Sequence, residues 1–291
     1  MHTIGTARSW AIGEFKRAQV ESPETSADLL LGFVLGWDRV RLLSRFEESL
    51  AEEAWIRFRN LILRRAKGEP LQYLTGEQEF FGLPFHVTPE VLIPRPETEL
   101  LVEEALNLMR GLSLQEIRFL DVGTGSGCIA VSIARENSAS IGCAIDISAT
   151  ALQIARGNAA RHGVERRIQF VQADLLECFP LAPAFDFILS NPPYVDLEEY
   201  DSLPVEIKEH EPRAALLGGE AGLKIYSRLI PAAPSRLRTG GYLMLELGAG
   251  QDERVGQLVE TQGLSVEKVL KDLRGIPRCI VARKPPRREN G

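Results

Sequence analysis

Histidine and cysteine are scarce in this 291-residue chain, four of each, and neither type is grouped. His2, His86, His162 and His210 show no ligand spacing, and Cys128, Cys143, Cys178 and Cys279 form no CxxC pair. No metal site is therefore expected, and the cysteines read as reduced thiols of a cytosolic protein. Long apolar runs are missing too. The most apolar early stretch, LLLGFVLGW from Leu29 to Trp37, lies between Asp28 and Asp38 and is too short to span a bilayer. The first 20 residues hold no apolar signal core. The expectation is a cytoplasmic monomer with no membrane association. Positive charge is not in excess: 34 Lys and Arg stand against 40 Asp and Glu, for a net charge of −6. Proteins held on nucleic acid by its phosphates are more often basic, so nucleic acid is not an expected partner.

What is present is enough to build a core. Hydrophobic residues make up 44% and charged residues 25%, and the length suits one large domain or two of usual size. Residues 1–75 carry apolar residues at helical spacing in SADLLLGFVLGW and EEAWIRFRNLILRRAKG. Ser26 is the predicted start of the first helix and Gly68 the predicted end of the second. A small helical domain follows from this. Residues 76–95 contain two short extended runs around Gly82-Leu83-Pro84, which predicts a β-hairpin linker. From 96 to 284 strands and helices alternate. Pro96 opens the amphipathic PETELLVEEALNLM. IRFLDVG, SIGCAID, RIQFVQAD, FDFILSN, GGYLMLELG and RCIVAR read as strands, with CIAVSIARE and SATALQIARGNAARHG as helices between them. Such alternation means an α/β fold, a parallel sheet covered on both faces. Pro231 and Pro234 interrupt the helical LKIYSRLIPAAPSRLR. The tail, 285–291, reads as flexible.

FLDVGTGSGCIA sets Asp121, Gly123, Thr124, Gly125, Ser126 and Gly127 at a strand-to-helix junction. Ligands of open α/β sheets bind where such strands end, and glycine allows close backbone approach. The dinucleotide pattern GxGxxG would need glycine at 128, where this chain has Cys128. The pattern is instead D-x-G-x-G-x-G. A strand-end carboxylate suits a positively charged ligand such as S-adenosylmethionine, with its ammonium and sulfonium, better than a pyrophosphate. The next strand ends at Asp146, placed to bond the ribose hydroxyls of an adenosine. The third ends at Asp174 and Leu175, placed for the adenine amino group and ring. The three acids form one adenosine-shaped set.

The fourth strand runs into Asn191-Pro192-Pro193-Tyr194. Two prolines remove two backbone donors and fix two φ angles. The segment is stiff, rich in acceptors and ends in an aromatic ring. Strand order places it beside the Asp121 strand across the switch point. There the Asn191 side-chain oxygen and the Pro192 carbonyl would hold both protons of a planar NH2 group, with Asn191 also bordering the sulfonium methyl and Tyr194 stacking on the plane. Orientation and electrostatics would then do the catalysis without a strong base.

NPPY after DVGTGSG resembles the amino-methylating class I S-adenosylmethionine-dependent methyltransferases. Longer stretches narrow this to the PrmC/HemK family: Pro70–Glu103, Glu211–Gly248 and Asp272–Arg283. The resemblance covers nearly everything from residue 70 and is looser over the N-terminal helices. It implies a seven-stranded, mostly parallel Rossmann-like sheet with an N-terminal helical domain. It implies methyl transfer to the glutamine N5 in the Gly-Gly-Gln motif of class 1 peptide chain release factors, docked with help from the N-terminal domain. Residues 123–127, Asp146, Asp174 and Leu175 would bind S-adenosylmethionine, and Asn191, Pro192, Pro193 and Tyr194 the glutamine amide. IPRPETE places Arg95 and Glu97 beside the site. The rival is an adenine-N6 DNA methyltransferase, since an extrahelical adenine offers the same NH2. Net acidity and the lack of a basic recognition segment count against it. A binding protein without catalysis would not need acceptors for both amine protons.

Overall fold

A computed structural model of the chain describes residues 2–286, so residues 287–291 of the expected tail lie outside the described residues. The chain forms two compact units. The first takes in Met1–Glu77 and, from far along the chain, Pro204–His210. It is helical: α1 (Ile4–Arg17), α2 (Pro23–Leu35), α3 (Arg39–Leu43), α4 (Glu52–Arg65) and α5 (Leu71–Thr75), with a two-residue pairing of β1 (His2–Thr3) and β2 (Ser49–Leu50). Thr3 and Thr6 cap α1 reciprocally, each side chain accepting from the other's N–H. The start of α2 differs from expectation. Pro23 opens it after Ser22, and Ser26 is a buried residue inside the helix rather than its cap. Proline's fixed φ suits the first helical position and outweighs the serine signal three residues later. Arg64 and Arg65 close α4, and Gly68 follows in the left-handed region at φ +93°. Ala7, Ala11, Phe15, Leu30, Leu31, Phe58 and Ile62 form the core. The returning segment belongs to the same unit: the buried Arg65 guanidinium meets Glu206 at 2.8 Å.

The second unit, Gln78–Leu203 with Glu211–Gly291, carries the sheet. It opens on a hairpin of β3 (Glu77–Phe80) and β4 (Leu83–His86). The turn is Phe81-Gly82, both at positive φ, +53° and +70°, so Leu83 and Pro84 are strand residues and not the expected turn. A two-residue hairpin of type I′ needs two left-handed positions, and an edge strand tolerates a proline. The remaining elements are α6 (Glu99–Arg110), β5 (Ile117–Val122), α7 (Cys128–Glu136), β6 (Ser140–Asp146), α8 (Ala149–Arg161), β7 (Ile168–Gln172), β8 (Phe185–Ser190), α9 (Leu197–Ser202), α10 (Val205–Lys208, in the returning segment), α11 (Arg213–Leu216), α12 (Tyr226–Ala232), β9 (Leu237–Glu246), α13 (Asp252–Thr261), β10 (Ser265–Lys271) and β11 (Pro277–Arg283). The helix expected to break at both prolines is shorter than its pattern, but α12 runs through Pro231 in its last turn and stops at Ala232, before Pro234.

The sheet order is β10-β11-β9-β8-β5-β6-β7, with β11 antiparallel to both its neighbours and the other strands running one way. This is the expected seven-stranded, mostly parallel sheet. Its seventh strand, β10, has no counterpart in the sequence reading. It is an edge strand of mixed Val, Glu and Lys with little burial, so it lacks the apolar run that marks the central strands. Alternate residues feed two cores. Phe119, Phe187, Leu189 and Met244 pack under α6 and α7, while Leu120, Val122, Ile188 and Leu245 pack under α12 and α13. Order reverses between β5 and β8. The loops leaving those two strands therefore border one crevice, with Val122 paired to Ser190 at its lip.

Candidate active site

The loop after β5 is held by hydrogen bonds. Gly123 and Thr124 N–H both donate to Ile145 O at 2.9 Å. Gly125 N–H donates to Asp146 Oδ2 at 2.9 Å, and the other oxygen of Asp146 accepts from Ser148 N–H at 2.9 Å. Asp121 is wholly buried. Its Oδ2 accepts from the Thr124 hydroxyl at 2.6 Å and from Ala130 N–H at 3.2 Å, while its Oδ1 has no partner. Burial pushes this carboxyl up to about 7. Asn158 Nδ2 ties Ser126 O from α8 at 2.8 Å. The glycines have separate reasons. A Cβ on Gly127 would lie 3.0 Å from Ala155 Cβ, so this glycine lets α8 approach. A Cβ on Gly123 or Gly125 would meet nothing within 4 Å, and both residues are at positive φ. The loop is open there, and a ligand can reach its backbone.

At the end of β7, the Asp174 carboxylate accepts from Arg228 at 2.8 Å, and Arg228 also reaches Glu177 at 2.9 Å. Leu175 sits at φ +49°, a left-handed conformation rare for a branched side chain, and packs partly buried on the sheet core.

The loop after β8 is held differently. Ser190 Oγ fastens the strand end to Val122 O at 2.7 Å. Beyond it Asn191 Nδ2 donates to Thr98 Oγ1 at 3.1 Å, and the Thr98 hydroxyl donates to Glu246 Oε2 at 2.6 Å. Among the described residues, Asn191 Oδ1 and the Pro192 carbonyl accept no hydrogen bond. The prolines leave few donors, so the loop is fixed by close packing. A Cβ on Gly218 would lie 2.7 Å from Pro193 O, one on Gly222 2.0 Å from Tyr194 O, and one on Gly248 2.9 Å from the Tyr194 ring. Gln251 Nε2 donates to Tyr194 O at 3.0 Å. The Tyr194 hydroxyl faces Glu246 Oε1 at 3.5 Å, and burial with that acid nearby pushes its pKa up. Glu246 itself is buried, which pushes its carboxyl up to about 7 against the Thr98 hydrogen bond. The charges of Arg95 and Glu97 act on Tyr194, and Arg95 pairs with the buried Glu211.

The two loops thus leave adjacent strand ends, one with open glycines and the other with two acceptors that no residue of the chain uses among the described residues. Sequence reasoning missed Thr98, Glu246, Asn158 and the three packing glycines. Glu246 had a usable signal. It ends its strand in LELG, just as Asp146 ends its own and Asp121 stands one residue before the end of its strand.

Comparison with known proteins fits this geometry. Residues 6–76 match the family model of the PrmC N-terminal domain, and residues 97–207 match that of the methyltransferase small domain. The release factor glutamine methyltransferase of Koribacter versatilis is 44% identical, covering 97% of this chain and 99% of its own. That of Geobacter sulfurreducens is 42% identical, covering 97% and 96%. A solved methyltransferase from Pyrococcus furiosus shares the fold at 18% identity, with a TM-score of 0.53 over 78% of this chain and 99% of its own.

Proposed function

The chain belongs to the release factor glutamine methyltransferases, and from that premise we propose how its crevice works. It is an enzyme that methylates a glutamine of a release factor. The acceptor atom is the side-chain N5 of the glutamine in the Gly-Gly-Gln motif of a class 1 factor, and the donor is S-adenosylmethionine. The residues present fit that donor. The open faces of Gly123 and Gly125 let a ligand approach their backbone, whose N–H groups are already bonded within the loop, and the unpartnered Asp121 Oδ1 suits a nearby positive charge. Asp146, Asp174 and Leu175, on the next two strand ends, would hold its adenosine. When bound, S-adenosylmethionine supplies an electrophilic methyl group.

An amide nitrogen is a poor nucleophile because its lone pair is delocalised. Asn191 Oδ1 and the Pro192 carbonyl would accept hydrogen bonds from its two N–H groups, favour a pyramidal nitrogen and stabilise the positive charge that develops there as the nitrogen–methyl bond forms and the methyl–sulfur bond breaks. The sulfur leaves as a neutral thioether, and the nitrogen then gives up one of its two protons. Tyr194, its pKa raised, stays protonated and presents a flat ring to the amide. Pro193 keeps the tetrapeptide rigid. The N-terminal unit would help to dock the release factor. The observation that carries this reading is the pair of unused acceptors, on Asn191 and Pro192, in a loop that borders the open glycine turn.

The test is incubation with S-adenosylmethionine and a purified release factor, followed by mass mapping. One added methyl on the Gly-Gly-Gln glutamine is expected. Label that persists when that glutamine is replaced refutes the assignment.

A further inference from the structure

A primary amide has two ends of nearly the same shape and opposite hydrogen-bonding sense. Asn191 serves as an acceptor only if its oxygen faces the substrate. Turned about, it would set an NH2 against an NH2. A lone hydroxyl beside it would not choose between these states, because a hydroxyl both donates and accepts. Thr98 is not a lone hydroxyl. Its one proton goes to Glu246 Oε2 at 2.6 Å, so toward Asn191, 3.1 Å away, it can only accept. Asn191 must then donate Nδ2–H to Thr98 and turn Oδ1 outward.

We propose that Thr98 and Glu246 are positioning residues that set the hydrogen-bonding sense of Asn191, keeping its oxygen aimed at the nitrogen to be methylated. This rests on the reading of Asn191 as one of the two amide acceptors. Burial makes the relay decisive: Thr98 is 2% and Glu246 1% exposed, so water does not compete for either. The Tyr226 hydroxyl donates to the main-chain carbonyl of Glu246 at 2.6 Å and fixes the strand end. An acid that only filled space here would cost stability, since a buried carboxylate needs compensation that an apolar side chain does not.

The relay also has a pH dependence. Protonated on Oε2, Glu246 would donate to Thr98, Thr98 would donate to Asn191, and the amide would be reversed. The working sense requires the ionised acid, whose pKa is about 7. Burial and Glu97 raise that pKa, while Thr98, Arg278 and Tyr194 oppose the rise. Tyr226, Cys128 and Cys279 also lie within reach of the acid's charge.

Steady-state kinetics on a release factor tests this. Thr98→Val should lower kcat on the order of 10-fold or more, leave KM for the release factor nearly unchanged, and keep S-adenosylmethionine affinity by calorimetry within about twofold. Thr98→Ser, which restores the hydroxyl, should recover most of the loss. Glu246→Gln, whose amide donates as well as accepts, should lower kcat similarly and remove the rise in kcat between about pH 6 and 8. The double variant should lose no more than the worse single, because either change cuts the same relay. Thr98→Val turnover within about twofold of wild type, or losses that multiply in the double variant, overturns the proposal. If Glu246→Gln does not fold, the Val and Ser pair at 98 decides alone. Failure of the functional reading is distinct: the wild-type protein would then methylate no release-factor glutamine.

Discussion

Two loops border one crevice and are held by opposite means. The loop after β5 uses its own N–H groups, bonded to Ile145 O and Asp146, so its glycines are free to leave space. The loop after β8 has two prolines and few donors, and it is wedged by Gly218, Gly222 and Gly248 from elsewhere in the chain. A loop that must present acceptors has no use for donors, which would pair with those acceptors or need partners of their own. Packing is what remains to hold it. Gly123 and Gly125 leave one loop open, whereas Gly218, Gly222 and Gly248 close in on the other.

That contrast can be broken by substitution. The largest effect is expected from Gly222→Ala. Its φ of +68° and the 2.0 Å approach to Tyr194 O forbid a methyl group, so a loss of about 2 kcal/mol or more is expected. Thermal melts should show it, together with near-complete loss of turnover. Asn191→Ala should spare the fold and the binding of S-adenosylmethionine but cut kcat on the order of 100-fold. Methyl transfer and calorimetry on one preparation separate the two. Gly125→Ala sharpens the comparison from the other side. Its Cβ meets nothing, so it should fold with only about 1 kcal/mol of backbone strain, while S-adenosylmethionine binding weakens on the order of tenfold.

The smallest effect is on stability against pH. Asp121 and Glu246 have ordinary values of 3.8 and 4.5, and burial raises both to about 7 in the folded chain. The fold therefore favours their neutral forms. Their contribution to stability is full below the ordinary values and is lost as pH rises to about 7. Asp121→Asn keeps an acceptor but cannot titrate, so its melting temperature should vary less between pH 4 and 7 than that of the wild type. An unchanged slope would contradict the burial argument.

The fold was legible where pattern is local. Helix Cys128–Glu136 and strand Phe185–Ser190 follow from an apolar run beside glycine or proline. So do the two loops, whose residue types announce what they can offer. The rest depended on distance along the chain. Asn191 meets Thr98 across 93 positions, and Thr98 meets Glu246 across 148. No periodicity links such residues. The start of α2 and the hairpin turn were misread for a different reason: two good local signals competed, and backbone geometry chose between them. Strand β10 was invisible because an edge needs little burial.

The excursion of Pro204–His210 into the helical unit bears on how that unit matures. A ribosome that has released only the first 77 residues has not yet supplied Glu206, the acid that faces the buried Arg65 guanidinium. The unit is thus completed late, after most of the sheet strands have emerged. A fragment cut after residue 77 lacks a piece of itself, and any dissection of this enzyme should carry that returning strip along.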